Sequence, residues 1–224
     1  MTSCVNSVLG TLFTHMVRFD IVSVNSTLNK KESAMKEIAI YGGTFDPPTR
    51  AHEAIMRACL DHAEIDELWV MPSGVRSDKV GMSSDEVRMG LLRQLITVEF
   101  AECPVKLSDF EMKLPKPTET YRTVDAMRHT YPKHRFWYVF GADSIESMPT
   151  WKGGNQLREE LHILAVPRLG YELPIETDRL QYLEIGGIAL AGISSSAVRQ
   201  AMACGKPTDH LVSPVVARQL RLIQ

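Results

Sequence analysis

Apolar residues in this chain gather in short runs, and between the runs they recur at helical spacing. Ile38-Ala39-Ile40-Tyr41, Leu68-Trp69-Val70-Met71, Val105-Lys106-Leu107, Phe136-Trp137-Tyr138-Val139-Phe140, His162-Ile163-Leu164-Ala165-Val166 and Ile188-Ala189-Leu190 read as buried strands. Ala54, Ile55, Ala58, Cys59 and His62 fit one face of a helix. Val87, Met89, Leu91, Leu92 and Leu95 supply the apolar residues of another, behind a capping-box spacing from Ser83 to Glu86. A further helix is predicted from Thr123 to Tyr131. Strands and helices alternate, which predicts an α/β fold: a Rossmann-like, doubly wound, mainly parallel sheet covered on both faces. The last third adds a small C-terminal helical portion. One helix starts at Ser194-Ser195-Ser196 and stops before Gly205, and a second runs from about Pro214, packing through Val215, Val216, Leu220 and Leu222.

Composition narrows the class. With 224 residues, 44% of them hydrophobic, the chain can form one sizeable domain, expected over residues 35–224. Residues 1–34, rich in Ser, Thr and Asn, are expected to be an extension, either disordered or the product of an upstream start, because Met35-Lys36 lies just ahead of the first strand. A targeting peptide is the alternative, although the long apolar core of a secretory signal is missing. Lys and Arg number 25 against 27 Asp and Glu, a net charge of −2, so nucleic acid is not an expected partner. Anions must be bound by a focused local site. No apolar run is long enough to cross a bilayer, and no membrane partner is expected. Cys4, Cys59, Cys103 and Cys204 form no C-x-x-C pair, and His15, His62, His129, His134, His162 and His210 show no metal spacing. No metal ligands are expected, and the dispersed cysteines fit a reducing, cytoplasmic location. Homo-oligomer formation stays open.

The most informative segment is Gly42-Gly43-Thr44-Phe45-Asp46-Pro47-Pro48-Thr49-Arg50-Ala51-His52. It joins the first strand to the first helix through a glycine turn and two prolines, and sets a histidine in that helix's first turn. Glycines let a phosphate approach the main chain, and free N–H groups at a helix start bind it. A histidine held there can donate to a phosphoryl oxygen as charge develops. Neither common glycine fingerprint fits: Asp46 occupies the third glycine position of G-x-G-x-x-G, and the G-K-[ST] of a P-loop is missing. The segment resembles the G-x-F-D-P…[HT]-x-G-H signature of a nucleotidyltransferase superfamily that includes the nicotinate-mononucleotide and pantetheine-phosphate adenylyltransferases. Thr49 stands where the nicotinate enzymes usually have a first histidine, and Ala51 replaces the usual glycine, while His52 is retained.

Ile193-Ser194-Ser195-Ser196-Ala197-Val198-Arg199 is the second strong motif. Three hydroxyls at a helix start, with an arginine one turn in, form an anion site from caps, backbone N–H groups and a fixed cation. It resembles the I-S-S-T-x-I-R element with which the family holds the ATP phosphates. Gly141-Ala142-Asp143-Ser144 directly follows the Phe136–Phe140 strand, so Asp143 can accept hydrogen bonds from ribose hydroxyls, or simply cap a helix. With Met148-Pro149-Thr150-Trp151 and Val166-Pro167-Arg168-Leu169-Gly170-Tyr171, this stretch resembles the matching region of nicotinate-mononucleotide adenylyltransferases. There the tryptophan stacks on the pyridine ring, a role an indole face suits. Glu119-Thr120-Tyr121-Arg122-Thr123-Val124 resembles the S-Y-T-x-x-T element that meets the acceptor mononucleotide. Pro72-Ser73-Gly74-Val75-Arg76-Ser77-Asp78-Lys79 lies where family members carry a phosphate-facing H-K pair, with Lys79 the better candidate and Arg76 the second.

The resemblance spans Met35 to Gln224 and implies an adenylyltransferase that joins the AMP moiety of ATP to nicotinate mononucleotide, giving deamido-NAD and pyrophosphate. It implies His52, Arg199 and Lys79 as catalytic residues. Gly42, Gly43, Thr44, Phe45, Thr49, Gly141, Asp143, Ser194, Ser195 and Ser196 would bind ATP or its phosphates, and Thr120, Tyr121, Trp151 and Arg168 the pyridine mononucleotide. The mononucleotide phosphate is already anionic, so in-line displacement needs alignment and charge stabilisation, not a general base. Mg²⁺ is expected mainly on the ATP phosphates and water. A pantetheine-phosphate enzyme, which Thr49 favours, a nicotinamide-mononucleotide enzyme and a non-catalytic nucleotide-binding module stay open as alternatives.

Overall fold

A computed structural model of the chain describes residues 34–74, 82–185 and 191–223. Its strands are β1 (Glu37–Gly43), β2 (Glu67–Pro72), β3 (Val105–Leu107), β4 (Arg135–Gly141), β5 (His162–Val166) and β6 (Leu180–Tyr182). They form one sheet in the order β3-β2-β1-β4-β5-β6, every pairing parallel. The helices are α1 (Arg50–Asp61), α2 (Asp85–Glu99), α3 (Phe110–Lys113), α4 (Thr120–Thr130), α5 (Ala142–Ser147), α6 (Gly154–Glu160), α7 (Ser195–Ala203) and α8 (Pro214–Leu222), with a 3₁₀ turn at Met148–Thr150.

The period of two along each strand explains why both faces are covered. Ile38 and Ile40 of β1 pack with Trp69, Met71, Phe136 and Tyr138 under Val124 and Met127 of α4. Ala39 and Tyr41 point the other way, into a cluster with Val70, Trp137, Ile55 and Cys59 of α1, Leu92 and Leu95 of α2, and Val216 and Leu220 of α8. The sheet is therefore doubly wound. Strand order reverses between β1 and β4, and the loops leaving their carboxyl ends part to open a crevice, the usual ligand position in such sheets.

Several local expectations are corrected. The cap of α2 is Ser84, whose Oγ takes the Val87 N–H at 3.4 Å. The Ser83 N–H instead donates to Asp46 Oδ2 at 3.1 Å, so the loop after β1 recruits the residue that spacing alone named as the cap. Helix α4 begins at Thr120, three residues before the predicted start at Thr123. Leu222 is 73% exposed on the far side of α8 and does not pack. The predicted strand Ile188–Leu190 lies outside the described residues, as do residues 1–33. The outer strand observed, β6, carries one polar residue in three and has no apolar run to announce it.

Candidate active site

The first helix turn builds itself around His52. Thr49 caps α1 and His52 occupies its third position, where a capping box usually has Glu or Gln. The Thr49 N–H donates to His52 Nδ1 at 2.9 Å, and the Thr49 hydroxyl lies 2.8 Å from the same nitrogen. A ring nitrogen that accepts an N–H carries no proton, so the imidazole proton sits on Nε2. Burial, and then the positive charge of Arg168, push the His52 pKa down to about 4. The result is a neutral imidazole with its Nδ1 occupied and one N–H left to donate. Thr49 is itself fully buried.

Phe45 completes the turn. Its φ of 51° is unusual for a residue with a side chain, and the conformation is held by burial of its ring edge-on to Tyr41 and 5.0 Å from the His52 ring. Gly43 suits this packing because a Cβ there would meet the Phe45 ring tightly, at 3.1 Å. Behind the turn lies Arg88, which is fully buried on α2. Its Nη1 donates to the Thr44 carbonyl at 2.9 Å and its Nη2 to Asp85 Oδ1 at 2.5 Å. Nothing in the sequence pattern marks this arginine, because a lone cation on an amphipathic helix is expected on the wet side.

The second motif meets the first. Arg199 Nη1 donates to the Asp46 carbonyl at 2.5 Å and its Nη2 to Ser196 Oγ at 3.1 Å, while Ser195 Oγ donates to the Pro47 carbonyl at 2.8 Å. Ser194 caps α7 by taking the Ala197 N–H at 3.1 Å. Ser195 and Arg199 thus dock α7 onto the β1–α1 loop, while Ser194 and Ser196 bond within the helix. The start of α7, with its helix dipole, and Arg199 line a cavity where they favour an anion.

Two cavities share one wall. The first, about 530 Å³, is lined by Asp46, Thr49, Ser194, Ser195, Ser196 and Arg199 among others. The second, about 440 Å³, is lined by Gly42, Gly43, Thr120, Gly141, Asp143 and Trp151 among others. Tyr41, Thr44, His52, Ile55 and Arg168 line both, so the two are lobes of one cleft with His52 at the junction. Phe45 lines the first lobe. Gly42, Gly43, Gly141 and Asp143 line the second lobe. Arg168 Nε stands 3.7 Å from Asp143 Oδ1, and Gly141 lets that carboxylate fold back, since a Cβ there would lie 2.3 Å from it.

Trp151 meets Phe140 edge-on at 5.8 Å on the wall of the second lobe. Tyr121 is not brought to the cleft. One position beyond Thr120 on α4, it is half-buried against the core on that side of the sheet, takes the Arg122 Nε–H at 3.0 Å and carries the Lys152 ammonium 5.4 Å from its ring centre. Lys79 and Arg76 lie outside the described residues. Sequence reasoning passed over Asp46 as a site residue although it stands inside the first motif, and it passed over Tyr41, Ser73 and Tyr138, whose apolar or small character concealed that they face the cleft.

A parallel α/β fold with a serine-capped helix start, an arginine and a neutral histidine at the switch point is an arrangement suited to nucleotides. Residues 40–201 match the cytidylyltransferase-like family. The chain is 31% identical over 180 residues to a probable nicotinate-nucleotide adenylyltransferase of Bacillus licheniformis, covering 80% of this chain and 92% of the relative. It is 30% identical over 186 residues to the nicotinate-nucleotide adenylyltransferase of Bacillus subtilis, covering 82% and 95%. Among solved structures, it is similar to the nicotinic acid mononucleotide adenylyltransferase of Plasmodium falciparum complexed with NaAD, at a TM-score of 0.70 and 22% identity over 84% of this chain and 96% of that one. The chain is a nucleotidyltransferase of the cytidylyltransferase-like family and belongs, within it, to the nicotinate-nucleotide adenylyltransferases.

Proposed function

We propose that this enzyme transfers the AMP moiety of ATP to nicotinate mononucleotide, releasing pyrophosphate and forming deamido-NAD. The observation that carries the reading is the two-lobed cleft whose lobes share Thr44, His52 and Arg168. The triphosphate is assigned to the lobe with the α7 N-terminus and Arg199, where backbone dipoles and a cation favour anions. The pyridine ring is assigned to the lobe walled by Trp151 and Thr120. The phosphorus that changes partners then lies at the junction. An oxygen of the mononucleotide phosphate bonds to the α-phosphorus, the bond from that phosphorus to the bridging oxygen breaks, and pyrophosphate departs with the electron pair. The His52 Nε2–H donates to the α-phosphoryl oxygen as its charge grows, and Arg199 balances the charge of the leaving group. Thr44, with the glycine backbone before it, holds phosphate between them, and Lys79 is proposed to add a second cation.

Mg²⁺ enters this reading on the triphosphate. Among the described residues no group of three or more His, Cys, Asp or Glu could hold a metal ion, and Asp46 already spends Oδ2 on the Ser83 N–H. An ion carried by phosphate oxygens and water suits this lining; it would neutralise phosphate charge. A cytoplasmic location agrees with free thiols at Cys59, Cys103 and Cys204 and with the absence, among the described residues, of any helix long and apolar enough to cross a membrane. The test is pyrophosphate release from ATP, measured separately with nicotinate mononucleotide, nicotinamide mononucleotide and phosphopantetheine. Release is expected with the first. Preference for phosphopantetheine, or no release with any acceptor, overturns the reading.

A further inference from the structure

Phe45 holds a backbone conformation that residues with a side chain normally avoid, and the groups that keep it there come from outside its loop. Its φ is 51°, in the region where a Cβ crowds the neighbouring carbonyl. The peptide unit between Thr44 and Phe45 is planar, so turning it changes ψ of Thr44 and φ of Phe45 together. The direction of the Thr44 carbonyl and the φ of Phe45 are therefore coupled. That carbonyl accepts from Arg88 Nη1 at 2.9 Å. On the other side of Phe45, Asp46 Oδ2 accepts the Ser83 N–H at 3.1 Å, and the Asp46 carbonyl accepts from Arg199. Phe45 is flanked on both sides by bonded acceptors.

Arg88 is a costly group to place behind such a turn. It is 0% exposed, and a buried guanidinium is strongly disfavoured unless its N–H groups are met. Nη1 meets the Thr44 carbonyl and Nη2 meets Asp85, while Nε has no hydrogen-bond partner among the described residues. Arg88 lines neither lobe of the cleft, so its influence on the reaction has to pass through the residues it holds. Phe45 carries it onward. The Phe45 ring lies 5.0 Å from the His52 ring and meets Tyr41 edge-on at 5.3 Å. Thr49 fixes His52 at Nδ1, and a ring held at one nitrogen can still tilt about that point. The Phe45 ring packed beside it limits the tilt.

We infer that Arg88 is a positioning residue for nucleotidyl transfer: its hold on the Thr44 carbonyl keeps Phe45 in the left-handed conformation, and the Phe45 ring keeps the His52 imidazole aimed at the junction of the two lobes. This rests on the reading of His52 as the donor to the transition state. Without the guanidinium bond the peptide between Thr44 and Phe45 turns, φ of Phe45 returns to negative values, and the ring moves off His52. Misplacing a catalytic group by about 1 Å costs on the order of 10² in rate. Arg199 and the start of α7 stay where they are, so substrate affinity changes little.

Turnover is measured as pyrophosphate release at saturating ATP and nicotinate mononucleotide for wild type, Arg88→Met, His52→Ala and the double variant. Denaturant unfolding alongside fixes conditions in which each variant is folded. Arg88→Met is expected to lower kcat by about ten- to a hundredfold, with KM for either substrate changed by less than about threefold. In the His52→Ala background the same substitution should lower kcat by less than about threefold, because the ring it positions is gone. A purely structural loss would cost the same factor in both backgrounds. Arg88→Lys keeps a donor for the Thr44 carbonyl and should recover part of the turnover; it replaces Arg88→Met in the cycle if the methionine variant does not fold. Wild-type kcat in Arg88→Met, or an equal loss in the two backgrounds, overturns the inference and leaves the proposed function intact. Wild-type turnover in His52→Ala overturns the role of His52, and the inference with it.

Discussion

Replacement of His52 by alanine probes the chemistry most directly. The ring is fixed through Nδ1 by the Thr49 N–H and hydroxyl at 2.9 and 2.8 Å, so its Nε2–H is set before substrate arrives and needs no reorganisation during reaction. Removing one such preorganised donor typically lowers turnover by about 10²–10³, or roughly 3–4 kcal/mol of transition-state stabilisation. The variant also frees the Thr49 N–H at the start of α1, an N-terminal loss worth about 1 kcal/mol of stability. The two effects are read separately, by pyrophosphate release at saturating ATP and nicotinate mononucleotide and by denaturant unfolding. Because the His52 pKa lies at about 4, the neutral ring is the donor, and wild-type turnover should show no loss attributable to His52 as pH rises through 6.5. An imidazolium donor would switch off there. The reasoning is refuted if the alanine variant keeps more than about a tenth of wild-type turnover, or if wild-type turnover falls across that pH and the fall vanishes in the variant.

The same depressed pKa carries a stability consequence. Between about pH 6.5 and 4 the unfolded chain protonates His52 while the folded chain does not, so the contribution is fully present above 6.5 and is lost as pH falls toward 4. The full loss approaches about 3 kcal/mol; His52→Ala should flatten the stability profile across that window, and an unchanged slope would contradict it. Arg199→Ala removes a cation from the first lobe and the bond to the Asp46 carbonyl, and should lower kcat/KM for ATP by about 10² with a much smaller effect on KM for the mononucleotide, as initial rates at varied ATP would reveal. Arg88→Met keeps apolar volume but removes the bonds to the Thr44 carbonyl and to Asp85, and should lower unfolding stability by about 2 kcal/mol. An unaltered denaturation midpoint would show that the buried arginine does not brace the loop.

The sequence by itself determined the sheet strands through β5, the helix that begins near His52, and the two phosphate-directed motifs, because each is a local pattern: an apolar run, a glycine turn, a serine-capped start. It also indicated that an anion must be met by a focused site, since the net charge is only −2. What it left undecided depends on contacts between residues far apart in the chain. Arg199 meets the Asp46 carbonyl across 153 positions, and the Ser83 N–H meets Asp46 Oδ2 across 37; no local spacing encodes either bond. Thr120, Thr123 and Val124 of α4 line the second lobe while Tyr121 packs against the core beside it, a division set by the phase of the helix. Arg88 goes inside because the Thr44 carbonyl and Asp85 wait for it there, a reason visible only once α2 lies against the β1–α1 loop. Patterns along a chain report which face is apolar; which polar atoms are left without partners, and therefore what the site can bind, is decided when the faces close on one another.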